Sequence, residues 1–280
     1  MLTNLIDRLR FVRDKQYVDR VYKENYHRGI NWDNPSRFSE KINILKISPK
    51  MKDLSIYTDK YLVRDFVKKT IGEEYLIPLI AVYGSVKAIN LEELPDQFVL
   101  KCTHGSGMNI ICTDKTKFDW PKAQRQLRVW LKSNFYHTFG RELQYNYIKP
   151  RIICEQYLEN DDNNLIDYKI YCFKGSPEFI RVMSGRSTQI KKNTYDLEWK
   201  LASFQLDSVG KNINWIIPRP NNLKNMIDIA TNLSKDFSFV RVDLYNIRGR
   251  IYFGELTFTP AAGIQFFDPD SYDELYGSKF

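Results

Sequence analysis

The chain has 280 residues, 43% of them hydrophobic and 14% aromatic, which excludes a disordered tail or a low-complexity linker. A compact chain of this length buries roughly 75% of the surface its unfolded form exposes, so it sustains a core without disulfides or a structural metal. Its 42 Lys and Arg against 34 Asp and Glu give a formal charge of +8, which favours anionic partners without naming one. Cys102, Cys112, Cys154 and Cys172 show no CxxC spacing and the three histidines are scattered. Neither a zinc site nor a disulfide framework is indicated, and reduced, buried thiols are expected. Charges from Asp7 to Lys15 interrupt any signal-peptide core, and no run reaches about 18 apolar residues. The expectation is a cytoplasmic protein with no transmembrane segment.

In chain order, Leu2, Leu5, Leu9, Val12, Val18, Val21 and Tyr22 recur at mostly helical spacing among charges, predicting amphipathic helices packed on a larger body. Asn34-Pro35-Ser36 breaks the pattern. Apolar residues recur at three and four again over 36–45 and 59–69, so residues 1–75 read as a helical N-terminal region. Beyond it, β-branched and aromatic runs predict strands over 98–102, 109–112, 151–158, 166–173, 178–183, 239–245 and 250–256. Connectors such as Lys174-Gly175-Ser176-Pro177 and Ile247-Arg248-Gly249 are hairpin-sized, which makes the pairing antiparallel. Helices are predicted over 121–132 and 223–234, the second with Leu223, Met226, Ile227, Ala230 and Leu233 on one face. The class is therefore α+β with mixed or antiparallel sheets.

Three stretches hold residues suited to chemistry. The strand 98–102 feeds a short loop, Thr103-His104-Gly105-Ser106-Gly107-Met108, before a second strand. Such a loop aims several N–H groups at one anion, with Lys101 as a point charge beside it, although two glycines in a hairpin also read simply as a turn. The second stretch is the hairpin from Arg241 to Glu255. With Ile247 to Gly249 as a three-residue loop, Asn246 pairs with Arg250, Asp243 with Phe253 and Arg241 with Glu255. Asp243 and Glu255 are then diagonal neighbours able to share a divalent cation. The same residues also read as a structural Arg241–Glu255 ion pair beside a solvated Asp243, and the hairpin alone leaves both open. In the third stretch, an apolar strand running into Glu155-Gln156-Tyr157-Leu158 suits a nucleotide pocket or a plain buried strand. Lys169 of Asp167-Tyr168-Lys169 reads as a phosphate contact or as an exposed strand lysine.

Taken in order, these pieces resemble the TupA-like ATP-grasp family, the teichuronopeptide-biosynthesis type found among surface-polysaccharide genes. The resembling stretches are Asn34-Pro35 through Glu40-Lys41, Thr58-Asp59-Lys60 with Val63-Arg64, 94–109, 148–158, Asp167-Tyr168-Lys169, and 239–263 with Gly254-Glu255-Leu256-Thr257-Phe258-Thr259-Pro260. The resemblance implies an ATP-grasp fold in which two α+β subdomains, 76–160 and 161–280, sandwich ATP after a helical region over 1–75. It implies that Lys101 and Lys169 contact ATP phosphates, that His104, Gly105, Ser106, Gly107 and Asn109 belong to the loop over them, and that Glu155, Gln156, Tyr157 and Leu158 hold adenine and ribose. Asp243 and Glu255 would ligate Mg2+. Thr257 stands where many ATP-grasp enzymes have a metal-binding Asn. Ala261, Ala262 and Met108 stand where Gly is more usual.

The implied activity is ADP-forming ligation of a carboxylate to an amine through an acyl phosphate. The substrates would be a uronic-acid sugar and an amino acid or other amine, in capsule or O-antigen assembly, a setting that leaves room for peripheral association with membrane-bound assembly enzymes. Arg181, Arg186 and Arg241 are candidate anchors for the substrate carboxylate, each equally readable as a structural ion pair. A kinase delivering phosphate to a sugar hydroxyl would use the same ATP site. A glycosyltransferase is a distant alternative, since Asp268-Pro269-Asp270 has DxD-like spacing but its proline suggests a turn. Nucleic-acid binding likewise ranks well below the ligase and the kinase, because the basic residues form no run and no RNP-type motif is present.

Overall fold

The computed structural model describes residues 2–158, 165–185, 190–206 and 216–280, with side chains from residue 9 onward. The chain opens with helices α1 (Leu2–Tyr26), α2 (Phe38–Lys46), α3 (Met51–Thr58) and α4 (Val63–Thr70). Next come β1 (Leu79–Tyr83), β2 (Phe98–Cys102), β3 (Asn109–Cys112), α5 (Trp120–Lys132), α6 (Phe135–Thr138) and β4 (Ile152–Gln156). Their strands form an antiparallel sheet in the order β1-β4-β2-β3. The remainder supplies β5 (Asp167–Phe173), β6 (Ser176–Ser184), β7 (Lys191–Tyr195), β8 (Gln205–Leu206), α7 (Leu223–Ser234), β9 (Phe239–Ile247), β10 (Arg250–Thr257), β11 (Phe267–Asp268) and α8 (Ser271–Lys279). A second antiparallel sheet runs β10-β9-β5-β6-β7. The protein is α+β.

Each sheet is backed by one of the two helices read from the sequence. The Asp119 carboxylate caps α5 by accepting from Lys122 N at 2.9 Å, with Pro121 in the first turn. Leu127 of α5 is buried with Phe98, Leu100, Ile152 and Cys154 of the four-stranded sheet. On the five-stranded sheet, Tyr168, Ile170, Cys172, Val240, Val242 and Leu244 pack with Leu223, Met226, Ala230 and Leu233 of α7. Burying each large side chain contributes roughly 1.5–3 kcal/mol. Alternation along β5 and β9 then sends Asp167, Lys169, Tyr171, Arg241, Asp243 and Tyr245 to the opposite face. Met51, Val63 and Val67 join the α7 core, so the N-terminal helices dock on the larger sheet.

Three sequence expectations need correction. The opening stretch is one helix, and its packed part is the C-terminal half: Val18 and Tyr22 are buried, whereas Leu9 and Val12 stay 62% and 53% exposed. The helix read over 59–69 begins at Val63, because Asp59 turns the chain by accepting Tyr61 N at 2.8 Å. The third correction concerns the register of the β9–β10 hairpin. Its turn has two residues, Arg248 and Gly249, both left-handed at φ 51° and 84°, the form whose twist matches the flanking strands. That turn alone would put Glu255 opposite Val242 and aim it at the core. A bulge at Gly254 adds one residue, so Glu255 pairs with Asp243 and Thr257 with Arg241. Asp243 and Glu255 are therefore directly opposed, not diagonal, and the expected Asp243–Phe253 and Arg241–Glu255 pairings do not form.

Candidate active site

The inner faces of the two sheets enclose a cleft of about 330 Å³. On the floor, backbone register aligns Glu255, Asp243, Lys169 and Arg181 in one row across four adjacent strands. Two acids thus stand beside two bases. Lys169 Nζ makes a short hydrogen bond to Asp243 Oδ2. Arg241 clasps Asp243 through Nε to Oδ1 at 2.6 Å and Nη2 to Oδ2 at 2.8 Å, and the same Nη2 reaches Glu255 Oε1 at 3.1 Å and Thr257 Oγ1 at 3.0 Å. The Thr257 hydroxyl donates to Glu255 Oε1 at 3.0 Å. Of the structural ion-pair reading, the Arg241–Glu255 pair forms, but Asp243 is buried at 3% exposure, not solvated.

The opposite wall comes from the smaller sheet. Lys101 Nζ lies 2.7 Å from Glu155 Oε2, and Arg64 Nη1 takes Glu155 Oε1 at 3.0 Å while its Nη2 donates to Ile77 O at 2.9 Å. The β2–β3 loop covers one end with Ser106 and Gly107. Lys60 Nζ enters from the turn before α4 and donates to Gly105 O at 2.6 Å. That turn is pinned by Asp59, whose carboxylate takes Arg151 Nη1 at 3.0 Å. Cations lining the cleft outnumber carboxylates seven to four, so its field favours a polyanion.

Electrostatics follow from this crowding. Burial alone would raise the Glu255 carboxyl, but Lys60, Arg241 and Lys169 outweigh it and hold it down at about 2. Burial would lower Arg241, and the Asp243 carboxylate more than offsets that, so the guanidinium is held above its ordinary value. Lys60 is pushed down by burial despite Glu255. The four thiols are free and buried, and burial raises Cys102, Cys154 and Cys172 to about 12, which leaves them unreactive.

Of the residues singled out in the sequence, Lys101, Ser106, Gly107, Asn109, Glu155, Lys169, Arg181, Arg241, Asp243 and Glu255 line this cleft. Thr257 faces an adjoining smaller chamber. Gly105 contributes its carbonyl to Lys60. His104 is buried behind the loop, its Nε2 donating to Trp130 O at 2.9 Å. Gln156 and Tyr157 face a separate open groove, and Leu158 lies outside the cleft lining. Arg186 lies outside the described residues. Asp270 of the DxD-like triplet is bound by Arg28 and Arg37 at 2.8 and 2.6 Å, away from the cleft. Sequence reasoning assigned no role to Lys60 or Arg64, although both lie in a stretch that carried the resemblance. What places them in the site is the docking of the N-terminal helices, which motif spacing does not encode.

Two antiparallel sheets closing on a cation-rich cleft with a paired-acid hairpin define an α+β protein whose cleft lies between its layers. The profile of the TupA-like ATPgrasp family matches residues 40–280, and the chain belongs to that family. No curated protein matches the sequence. Among solved structures, it is similar to a D-alanine–D-alanine ligase from Bacillus anthracis complexed with ATP, at 18% identity and TM-score 0.38, covering 74% of this chain and 56% of that one. It is also similar to an ADP complex of N5-carboxyaminoimidazole ribonucleotide synthetase, at 16% identity and TM-score 0.42, covering 75% and 46%. A D-alanine–D-alanine ligase from Helicobacter pylori has 12% identity and TM-score 0.41, covering 80% and 61%. The chain thus spans about half to three fifths of these proteins. Among the described residues, no helix is long and apolar enough to cross a membrane.

Proposed function

We propose that the chain is an ATP-dependent carboxylate–amine ligase, which phosphorylates a carboxylate to an acyl phosphate and passes the acyl group to an amine, releasing ADP and phosphate. The observation that carries this reading is the Glu255–Asp243–Lys169–Arg181 row facing Lys101 and the Gly-containing loop across one cleft. Residues 76–160 act as the small subdomain and 161–280 as the large one. Lys101 and Lys169, joined by Lys60, hold phosphates, with the N–H groups of the loop from His104 to Asn109 above them. Of residues 155–158, Glu155 borders adenine and ribose beside Lys101, whereas Gln156 and Tyr157 turn to the separate groove and take no part.

The donor set suits Mg2+. This ion takes one or two protein carboxylates and fills its octahedron with phosphate oxygens and water. Asp243 and Glu255, opposed on neighbouring strands, with the Thr257 hydroxyl on Glu255, meet that requirement. Bound there, Mg2+ would neutralise charge on the β- and γ-phosphates.

The protein's own groups do the rest by position. Arg241 presents a forked donor that matches a carboxylate or a phosphoryl group, and Arg181 stands two strands away on the same face. Closure of the loop at Ser106 would keep water from an acyl phosphate, which otherwise hydrolyses. No nucleophilic side chain is required, since phosphorylation removes both the charge and the poor leaving group of the carboxylate. By family resemblance the carboxylate belongs to a uronic-acid sugar and the amine to an amino acid or similar compound, in cytoplasmic steps of capsule or O-antigen assembly. The test is ADP release screened over paired uronic acids and amines, with mass spectrometry of the product. An amide with stoichiometric ADP and phosphate supports the reading, and a stable phosphorylated sugar identifies a kinase instead.

A further inference from the structure

Beyond the wall formed by Lys60, Arg241 and Glu255 lies a second chamber of about 160 Å³, which shares those three residues, Ser106 and Ala261 with the main cleft. Its far side is built differently. Glu142 and Gln144, 5% and 2% exposed, both line it. Thr259 ties them together: its hydroxyl donates to Glu142 Oε1 and accepts from Gln144 Nε2 at 2.9 Å. Gln144 Oε1 is left buried with no donor. Lys46 lies behind this wall, but its ammonium is spent on Asn43 Oδ1 at 2.8 Å and Ala262 O at 2.7 Å.

We propose that this chamber is the acceptor site for a small primary amine, with the Glu142 carboxylate and Gln144 Oε1 as its anchors. This deepens the ligase reading and rests on it for the amine's role as acceptor. The argument is one of unmet demand. A buried carboxylate and a buried amide oxygen both require donors, and an unpaired acceptor of this kind costs about 1–3 kcal/mol until it is satisfied. An ammonium supplies three N–H donors and a positive charge, whereas a hydroxyl supplies one donor and none. Burial, reinforced by Glu255 and only partly offset by Thr259, Lys46 and Arg241, pushes the Glu142 carboxyl up to about 7. The sugar carboxylate is left to the larger cleft, and the two reactants meet at the Arg241–Glu255 wall.

Calorimetric titration of the full chain, with and without Mg2+ and AMPPNP, tests this directly. The probes are ethanolamine, glycine and L-alanine, each paired with its hydroxyl counterpart: ethylene glycol, glycolate and L-lactate. Saturable binding of at least one amine with none of its counterpart is expected, weakened about tenfold or more by Glu142→Gln and less by Gln144→Met. Equal binding of amine and hydroxyl partners, no amine binding at all, or amine binding unchanged in Glu142→Gln overturns the assignment. Should Glu142→Gln fail to fold, the wild-type amine–hydroxyl comparison and Gln144→Met still decide. Amine binding at Glu142 without any AMPPNP binding would leave the chamber standing and refute the ligase reading alone.

Discussion

Gly254 decides where Glu255 points. A Cβ there would sit 3.0 Å from Asp243 O and 3.3 Å from the Tyr245 ring, so the bulge is closed tightly enough that a side chain must displace one strand or the other. Gly254→Val should lower ATP turnover at least about tenfold by moving Glu255, with a far smaller change in melting temperature, as steady-state ADP release beside thermal unfolding will show. Asp243→Asn and Glu255→Gln should each abolish ATP turnover while circular dichroism stays native. Lys101→Met should lose several kcal/mol of transition-state stabilisation, read from kcat/KM. Cys102→Ser should turn over normally, since that thiol packs in the core of the smaller sheet. Met108 also belongs to that core, and its sulfur would lie 2.7 Å from a Cβ at Gly105. The loop is thus propped from below by the side chain that replaces the more usual glycine.

At the scale of elements, α2 holds the segment after β10. Ala261 and Ala262 are left-handed at φ 51° and 52°, a conformation that costs a non-glycine residue about 1–2 kcal/mol. Asn43 donates to Gly263 O and Lys46 to Ala262 O, each at 2.7 Å, and so hold the segment in place. Ala261→Gly should raise stability by about 1 kcal/mol in urea unfolding, because Ala261 is exposed and the strain is released. Strands with an apolar inner face, such as β2, β3 and β5, were readable from their β-branched runs and tight connectors. β1 hides because its residues are only half-buried or exposed, and β7 because it opens Lys191-Lys192-Asn193. The two residues each of β8 and β11 carry no period at all. In the site, the acids were legible as types at a spacing. Their register was not, since a bulge shows in sequence only as a glycine among strand residues.

For the molecule as a whole, the two buried groups Glu142 and Lys46 set a pH signature. Glu142 rises from an ordinary 4.5 to about 7 in the fold, so the native state binds the extra proton and stability falls as pH climbs from about 4.5 to 7. Lys46 is lowered from 10.5 to about 8 by burial, so stability recovers as pH climbs from about 8 to 10.5. Relative to wild type, Glu142→Gln should flatten the first limb by about 3 kcal/mol in urea titrations. The central claim concerns what joins the two sheets: a nucleotide whose phosphates lie between the Lys101 wall and the Asp243–Glu255 pair. A crystal structure with AMPPNP and Mn2+, the metal located by its anomalous signal, tests it most directly. The account predicts manganese within coordination distance of Asp243 and Glu255, with the triphosphate beneath the Ser106 loop. Manganese elsewhere, or a nucleotide bound outside the cleft, would contradict it.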